Sequence, residues 1–193
     1  GDTVVETSMP DAIDEATTPS DGSGSGANEL EFSDPSDADA DTVVIRPNSG
    51  TYVFDSKTID TDNTQIEPLE GGDVTFENND GGATLTIDAS SVEINNIEFD
   101  QGENSQNALA VNDGAGLTVD QSTFTNPAED GDSNGVTAFV STVDGADTVV
   151  TDSVFEGAGE DDPELRASDG VAIGDSGDNG ELTITNNEFS GLQ

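Results

Sequence analysis

From residue 92 onward the apolar and polar positions fall into an eight-residue block that recurs four times without gaps: VEINNIEF at 92–99, LTVDQSTF at 117–124, TVVTDSVF at 148–155 and LTITNNEF at 182–189. In each block the first, third and eighth positions are mostly apolar, and the fifth is polar: Asn96, Gln121, Asp152 and Asn186. Alternation with period two predicts a strand with one buried face. A polar residue that tolerates left-handed backbone suits the tight bend that follows, so each block reads as strand, bend, strand. A further short strand follows at 108–111, 136–140 and 170–173.

The blocks start 25, 31 and 34 residues apart. Self-similarity at such a period marks stacked repeats, each a winding of the same supersecondary unit. Stacking puts like on like, so Phe99, Phe124, Phe155 and Phe189 are expected to form an internal aromatic ladder, each burial stabilising by roughly 1.5 to 3 kcal/mol. The alternative is an antiparallel sandwich, which also spaces short strands by 8 to 12 residues, yet has no reason to repeat one register and one Phe. Residues 58–87 hold apolar pairs at Ile59, Ile66, Val74, Phe76, Leu85 and Ile87 and predict two less regular coils.

These blocks resemble the coils of a right-handed, single-stranded parallel β-helix of the pectin-lyase-like superfamily. Two further stretches are similar to that family. Residues 41–52, Asp-Thr-Val-Val-Ile-Arg-Pro-Asn-Ser-Gly-Thr-Tyr, resemble its first coil, and Met9 to Ala16 resemble the short helix that caps its N-terminal end. Ser8 can cap such a helix, with Asp11 at capping-box spacing. The resemblance implies an all-β solenoid with an N-terminal strand and capping helix at 1–16, a Ser/Gly/Asp-rich linker or loop at 17–40 and coils over 41–193. An ordered linker would be held by the flank of its own solenoid or by a neighbouring subunit. The superfamily hosts lyases, hydrolases, surface proteins and viral spikes, so fold alone does not choose an activity.

Charge narrows the choice. Forty-three Asp and Glu face three Lys and Arg, with no His, for a net charge of −40. Such carboxylates repel one another unless screened, over about 10 Å at 0.1 M salt and roughly 3 Å at 1 M. The surface resembles that of proteins from extreme halophiles or their viruses, bathed in high K⁺ or Na⁺. A disordered acidic tail shares this composition, but would not need the repeat. Arg46, Lys57 and Arg166 stand singly, so nucleic acid and anionic membrane surfaces are not expected partners. No apolar run approaches the roughly 20 residues of a membrane-spanning helix, so no membrane insertion is expected. The lack of Cys excludes disulfides, and the lack of His removes the commonest general base. The first residue is Gly, not Met, which fits a removed leader and an extracellular, cell-surface or virion location.

Three features hold candidate chemistry. The lyases the chain resembles use Arg or Lys as base beside Ca²⁺, but Arg46 and Lys57 match no lyase motif here, and the hydrolases pair acids with a His that this chain lacks. A carboxylate pair could still cleave a glycosidic bond, leaving a secreted polysaccharide lyase or hydrolase as the alternative function. Asp130, Asp132 and Asn134 open an EF-hand-like run closed by Gly135, a candidate for Ca²⁺ or another hard cation, although Ser141 stands where the bidentate Glu belongs. No cofactor is otherwise required. The loops after each ladder Phe lengthen along the chain, and the longest offers Glu164, Leu165 and Arg166 as contacts for a partner or ligand. The chain stops four residues past Phe189, with no capping helix, so more chain or another subunit is expected to cover that end. The function expected is a non-catalytic structural or recognition protein in a homo-oligomer or larger assembly, with surface glycan as a candidate ligand.

Overall fold

The computed structural model describes residues 3–6, 28–32, 43–78, 82–101, 107–125, 139–143, 145–156, 171–173 and 180–191. Six coils follow one another; among the described residues the first five each contribute one strand to each of three sheets, and the sixth contributes to the first two. The first coil holds β3 (Val43–Arg46), β4 (Gly50–Phe54) and β5 (Lys57–Ile59), and the second holds β6 (Thr64–Ile66), β7 (Val74–Asn78) and β8 (Leu85–Ile87). The third holds β9 (Val92–Asn95), β10 (Glu98–Asp100) and β11 (Leu109–Val111), and the fourth β12 (Gly116–Asp120), β13 (Thr123–Thr125) and β14 (Val140–Thr142). The fifth holds β15 (Asp147–Thr151), β16 (Val154–Glu156) and β17 (Val171–Ile173), and β18 (Leu182–Thr185) and β19 (Glu188–Ser190) belong to the sixth.

Every strand from β3 on pairs in parallel with its counterpart one coil away. All-β stacking of this kind is the arrangement of a β-helix-like solenoid. Ile45, Ile66, Ile94, Val119 and Val150 stand in register on the first sheet and are fully buried. Period-two alternation sends their neighbours outward, so each coil buries its own row, at roughly 1.5 to 3 kcal/mol per large apolar side chain. Where coil four passes into coil five, Thr142 and Thr148 take buried positions. The Thr148 hydroxyl meets the Thr142 hydroxyl at 3.2 Å, which answers the desolvation of both.

Coils one and two keep the same register as the rest, although their sequence is irregular. Tyr52, Phe76, Phe99, Phe124, Phe155 and Phe189 are consecutive partners on the second sheet. Phe99, Phe124, Phe155 and Phe189 stack nearly parallel at 5.1, 4.7 and 4.8 Å between ring centroids, whereas Phe76 meets Phe99 edge-on at 5.7 Å. Phe139 enters from the side at 5.9 Å from Phe124 and 6.1 Å from Phe155.

Two N-terminal strands extend the first sheet. β1 (Thr3–Glu6) pairs antiparallel with β2 (Asn28–Phe32), and β2 pairs antiparallel with β3. This places a strand inside the 17–40 stretch read as linker, held on the flank of the solenoid. Alternating Glu29, Leu30, Glu31 and Phe32 outweigh the surrounding Ser/Gly/Asp composition there. The remainder of 17–40 and the helix expected after Ser8 lie outside the described residues. The β2 strand also covers an edge of β3 that would otherwise present unpaired backbone groups.

Candidate functional site: the corner between the first two sheets

The fifth residue of each block sits where the chain turns from the first sheet to the second. Asn96, Gln121, Asp152 and Asn186 have φ of 54°, 50°, 47° and 57°. Left-handed backbone costs an ordinary residue roughly 1 to 2 kcal/mol, and the stack offsets it by hydrogen bonding. The amides of Asn96, Gln121 and Asp152 donate to the carbonyls of Asp120, Thr151 and Thr185 in the next coil, at 3.0 to 3.2 Å. The next position adds a side-chain ladder. Ile97 N–H donates to Ser122 Oγ at 3.3 Å, Ser122 N–H to Ser153 Oγ at 3.2 Å, and Ser153 N–H to Asn187 Oδ1 at 2.8 Å. Ser122 and Ser153 are buried, so each hydroxyl satisfies an amide that water cannot reach.

Coil two departs from this two-residue bend. Its connection spans residues 67–73 and contains the 3₁₀ turn Leu69–Gly71, with Gly71 at φ 70°. Leu69 N–H donates to the Pro47 carbonyl at 2.9 Å and Arg46 Nε donates to Glu67 Oε1 at 2.8 Å, which pin the connection to the first coil. The half-exposed ion pair is worth under about 1 kcal/mol and acts chiefly by fixing geometry. The connection forms a lip beside Asn95 and Asn96. A hollow of about 420 Å³ lies between them, lined by Arg46, Glu67, Pro68, Leu69 and the two amides. A second hollow of about 270 Å³ shares Asn96 and continues past Asp73, Ile97, Glu98, Gln121 and Thr123. The two hollows have Asn96 in common.

Several side-chain amides are engaged within the fold: Gln65 donates to Glu93, Gln121 to Asp120, Asn112 to Asp88, Asn78 to the Gly82 carbonyl and Asn187 to the Val150 carbonyl. Among the described residues, the side chains of Asn95 and Asn96, like those of Asn63, Asn107 and Asn186, have no such partner. Glu98 accepts from the Thr75 hydroxyl at 2.9 Å. The corner thus presents donors and acceptors held on a rigid scaffold.

Of the residues nominated by sequence, Asn96 and Gln121 line the hollows, and Asp152 and Asn186 stand further along the same corner. Phe99, Phe124 and Phe155 lie in the interior and Phe189 at the last described coil. Asp130, Asp132 and Asn134 lie outside the described residues, as do Glu164, Leu165 and Arg166. Among the described residues no three acidic side chains converge on a metal position, and no helix is long and apolar enough to cross a membrane. Glu67 and Leu69 escaped the repeat pattern because they lie in the coil-two connection that breaks it, and Arg46 because it lies in the irregular first coil, whereas Asn95 stands at the fourth position of the first block. The signal available was the Pro68, Gly71, Gly72 cluster between two apolar pairs, which marks an inserted turn. No family model matches the chain, and neither does any curated protein or solved structure.

Proposed function

We propose that the chain is a right-handed, pectin-lyase-like parallel β-helix adapted to high salt. In this reading it is a non-catalytic structural and recognition element of an extracellular assembly, either on a cell surface or in a virion as a decoration, turret or spike. Stacking in three parallel sheets supports the fold, and a charge of −40 supports the salt adaptation, with K⁺ or Na⁺ as screening ions. Surface glycan is the ligand class proposed for the recognition role, and the acidic loops are the proposed place for any Ca²⁺.

The observation that carries assembly lies at the sixth coil. Ile184 and Phe189 are 41% and 46% exposed, whereas Val150 and Phe155, in register one coil earlier, are fully buried. Exposed apolar side chains on the last described coil fit an interaction surface, and a partner is proposed to cover it. Sedimentation equilibrium in multimolar KCl tests this: an oligomer of fixed size is expected, and a monomer at every concentration overturns it.

A further inference from the structure

We infer that one buried water is bound at Gln101, at the corner between the second and third sheets, and that it completes the hydrogen bonding between coils two and three. Phe54, Asn78 and Gln101 follow one another where successive coils leave the second sheet: Phe54 pairs with Asn78, and Gln101 stands one residue past the pairing of Asp100 with Glu77. All three are buried, so this column changes from a ring to amides inside the core. A buried side-chain amide needs partners for its donors and for its acceptor. Gln101 Nε2 donates to Thr84 Oγ1 at 3.2 Å, and Thr84 is fully buried as well. Gln101 Oε1 has no partner, and it is the one buried side-chain polar atom in that condition among the described residues. Turning the amide over would leave Nε2 alone instead, because the Thr84 hydroxyl meets one end only.

Backbone bonds between coils hold both residues in place. Thr84 N–H donates to the Asn107 carbonyl at 3.1 Å, Lys57 N–H to the Thr84 carbonyl at 3.1 Å, and Gln101 N–H to the Thr125 carbonyl at 3.3 Å. An acceptor left dry in the core costs its full desolvation, which is why protein interiors meet such groups with protein donors or with ordered water. The ligand must donate to Oε1, and the Thr84 hydroxyl, which accepts from Nε2, keeps its own proton to give. Water answers both with one oxygen. A simple anion brings only acceptors. A hard cation finds no cluster of three acids among the described residues and would face the N–H donors of the Asn78 and Gln101 amides. Neither surface hollow described above is lined by Gln101 or Thr84, so they admit no organic molecule to this point. The water acts here as the Ser122 and Ser153 hydroxyls act at the other corner, by meeting a polar group that bulk solvent does not reach.

Oxygen-17 magnetic relaxation dispersion counts the long-lived waters of the full chain in multimolar KCl, and the double variant Gln101→Leu/Thr84→Val is compared with it. The variant replaces both polar partners by apolar groups of similar shape, so neither is left unmet. It is expected to keep its circular dichroism spectrum and to hold one long-lived water fewer than the parent. An equal count in a folded variant overturns the inference. A crystal structure of the unaltered chain grown from KCl is the second measurement, and it decides alone if the variant fails to fold. An oxygen without anomalous signal is expected about 2.7 to 3.2 Å from both the free end of the Gln101 amide and Thr84 Oγ1. A potassium anomalous peak at that point, a protein donor on the free end of the amide, or no density beside it overturns the inference.

Discussion

Replacing Phe124 with Ala removes a ring held face to face by two others. Phe124 is fully buried, 5.1 Å from Phe99 and 4.7 Å from Phe155, with Phe139 at 5.9 Å. Deletion of a buried Phe side chain costs about 3 to 5 kcal/mol, and each aromatic pair contributes about 0.5 to 1.5 kcal/mol beyond its area. Two stacked partners and a tilted third place Phe124→Ala near the top of that range, about 4 to 5 kcal/mol. Phe189 supplies the internal comparison. It has one stacked neighbour, Phe155 at 4.8 Å, and is 46% exposed, so Phe189→Ala should cost about 2 kcal/mol. Urea is the denaturant of choice because it leaves ionic strength constant. With a urea slope of about 2 kcal/mol/M, the two variants should lower the midpoint by about 2 M and 1 M. Circular dichroism in multimolar KCl reads both. Equal shifts, or a larger shift for Phe189→Ala, would refute an internal ladder that gains from stacking on both faces. A Phe99/Phe124 double-mutant cycle should also show coupling of about 0.5 to 1.5 kcal/mol.

The corner ladder makes its own predictions. Ser153→Ala removes the acceptor of the Ser122 N–H and the donor to the Thr151 carbonyl at 2.7 Å, and is expected to cost about 1 to 3 kcal/mol in the same urea assay. Gln121→Gly should stay within about 1 kcal/mol of the parent, because Gly accepts φ of 50° freely, whereas Gln121→Val should lose about 2 kcal/mol; equal effects would contradict the left-handed bend. Burial pushes the Tyr52 phenol above its ordinary value of 10. Between pH 10 and that raised value the unfolded chain ionises and the folded one does not, so stability falls as pH rises through the window, and Tyr52→Phe should flatten this alkaline limb in thermal melts. Dilution below about 0.5 M salt lets carboxylate repulsion reach farther and should unfold the chain, an outcome that an unchanged circular dichroism spectrum would contradict.

Coils three to six were legible because their blocks are in phase. Asn96, Gln121, Asp152 and Asn186 announced the bend by being the polar residue after an alternating triplet, and the adopted φ follows from that position. Coils one and two were harder. The bend of residues 67–73 shifts Phe76 out of the eight-residue phase and the 47–49 connection shifts Tyr52, so neither aligned with Phe99, although backbone pairing sets all three in one column. Sheets register by hydrogen bonding between neighbouring strands, which tolerates a longer loop that a gapless alignment does not. The strand at Asn28–Phe32 was hidden for a different reason. Composition averages over a window, and five alternating residues inside a Ser/Gly/Asp-rich stretch barely alter it.

By itself the sequence determined the parallel stack and its interior aromatic column. Those properties depend on which residue types recur at one spacing, which is readable along a line. Only the tertiary structure decided which coil corner is hollowed. The hollow beside Asn96 depends on an irregular connection in coil two folding back beside the regular bend of coil three, and that is a matter of neighbours in space that no single strand of sequence contains.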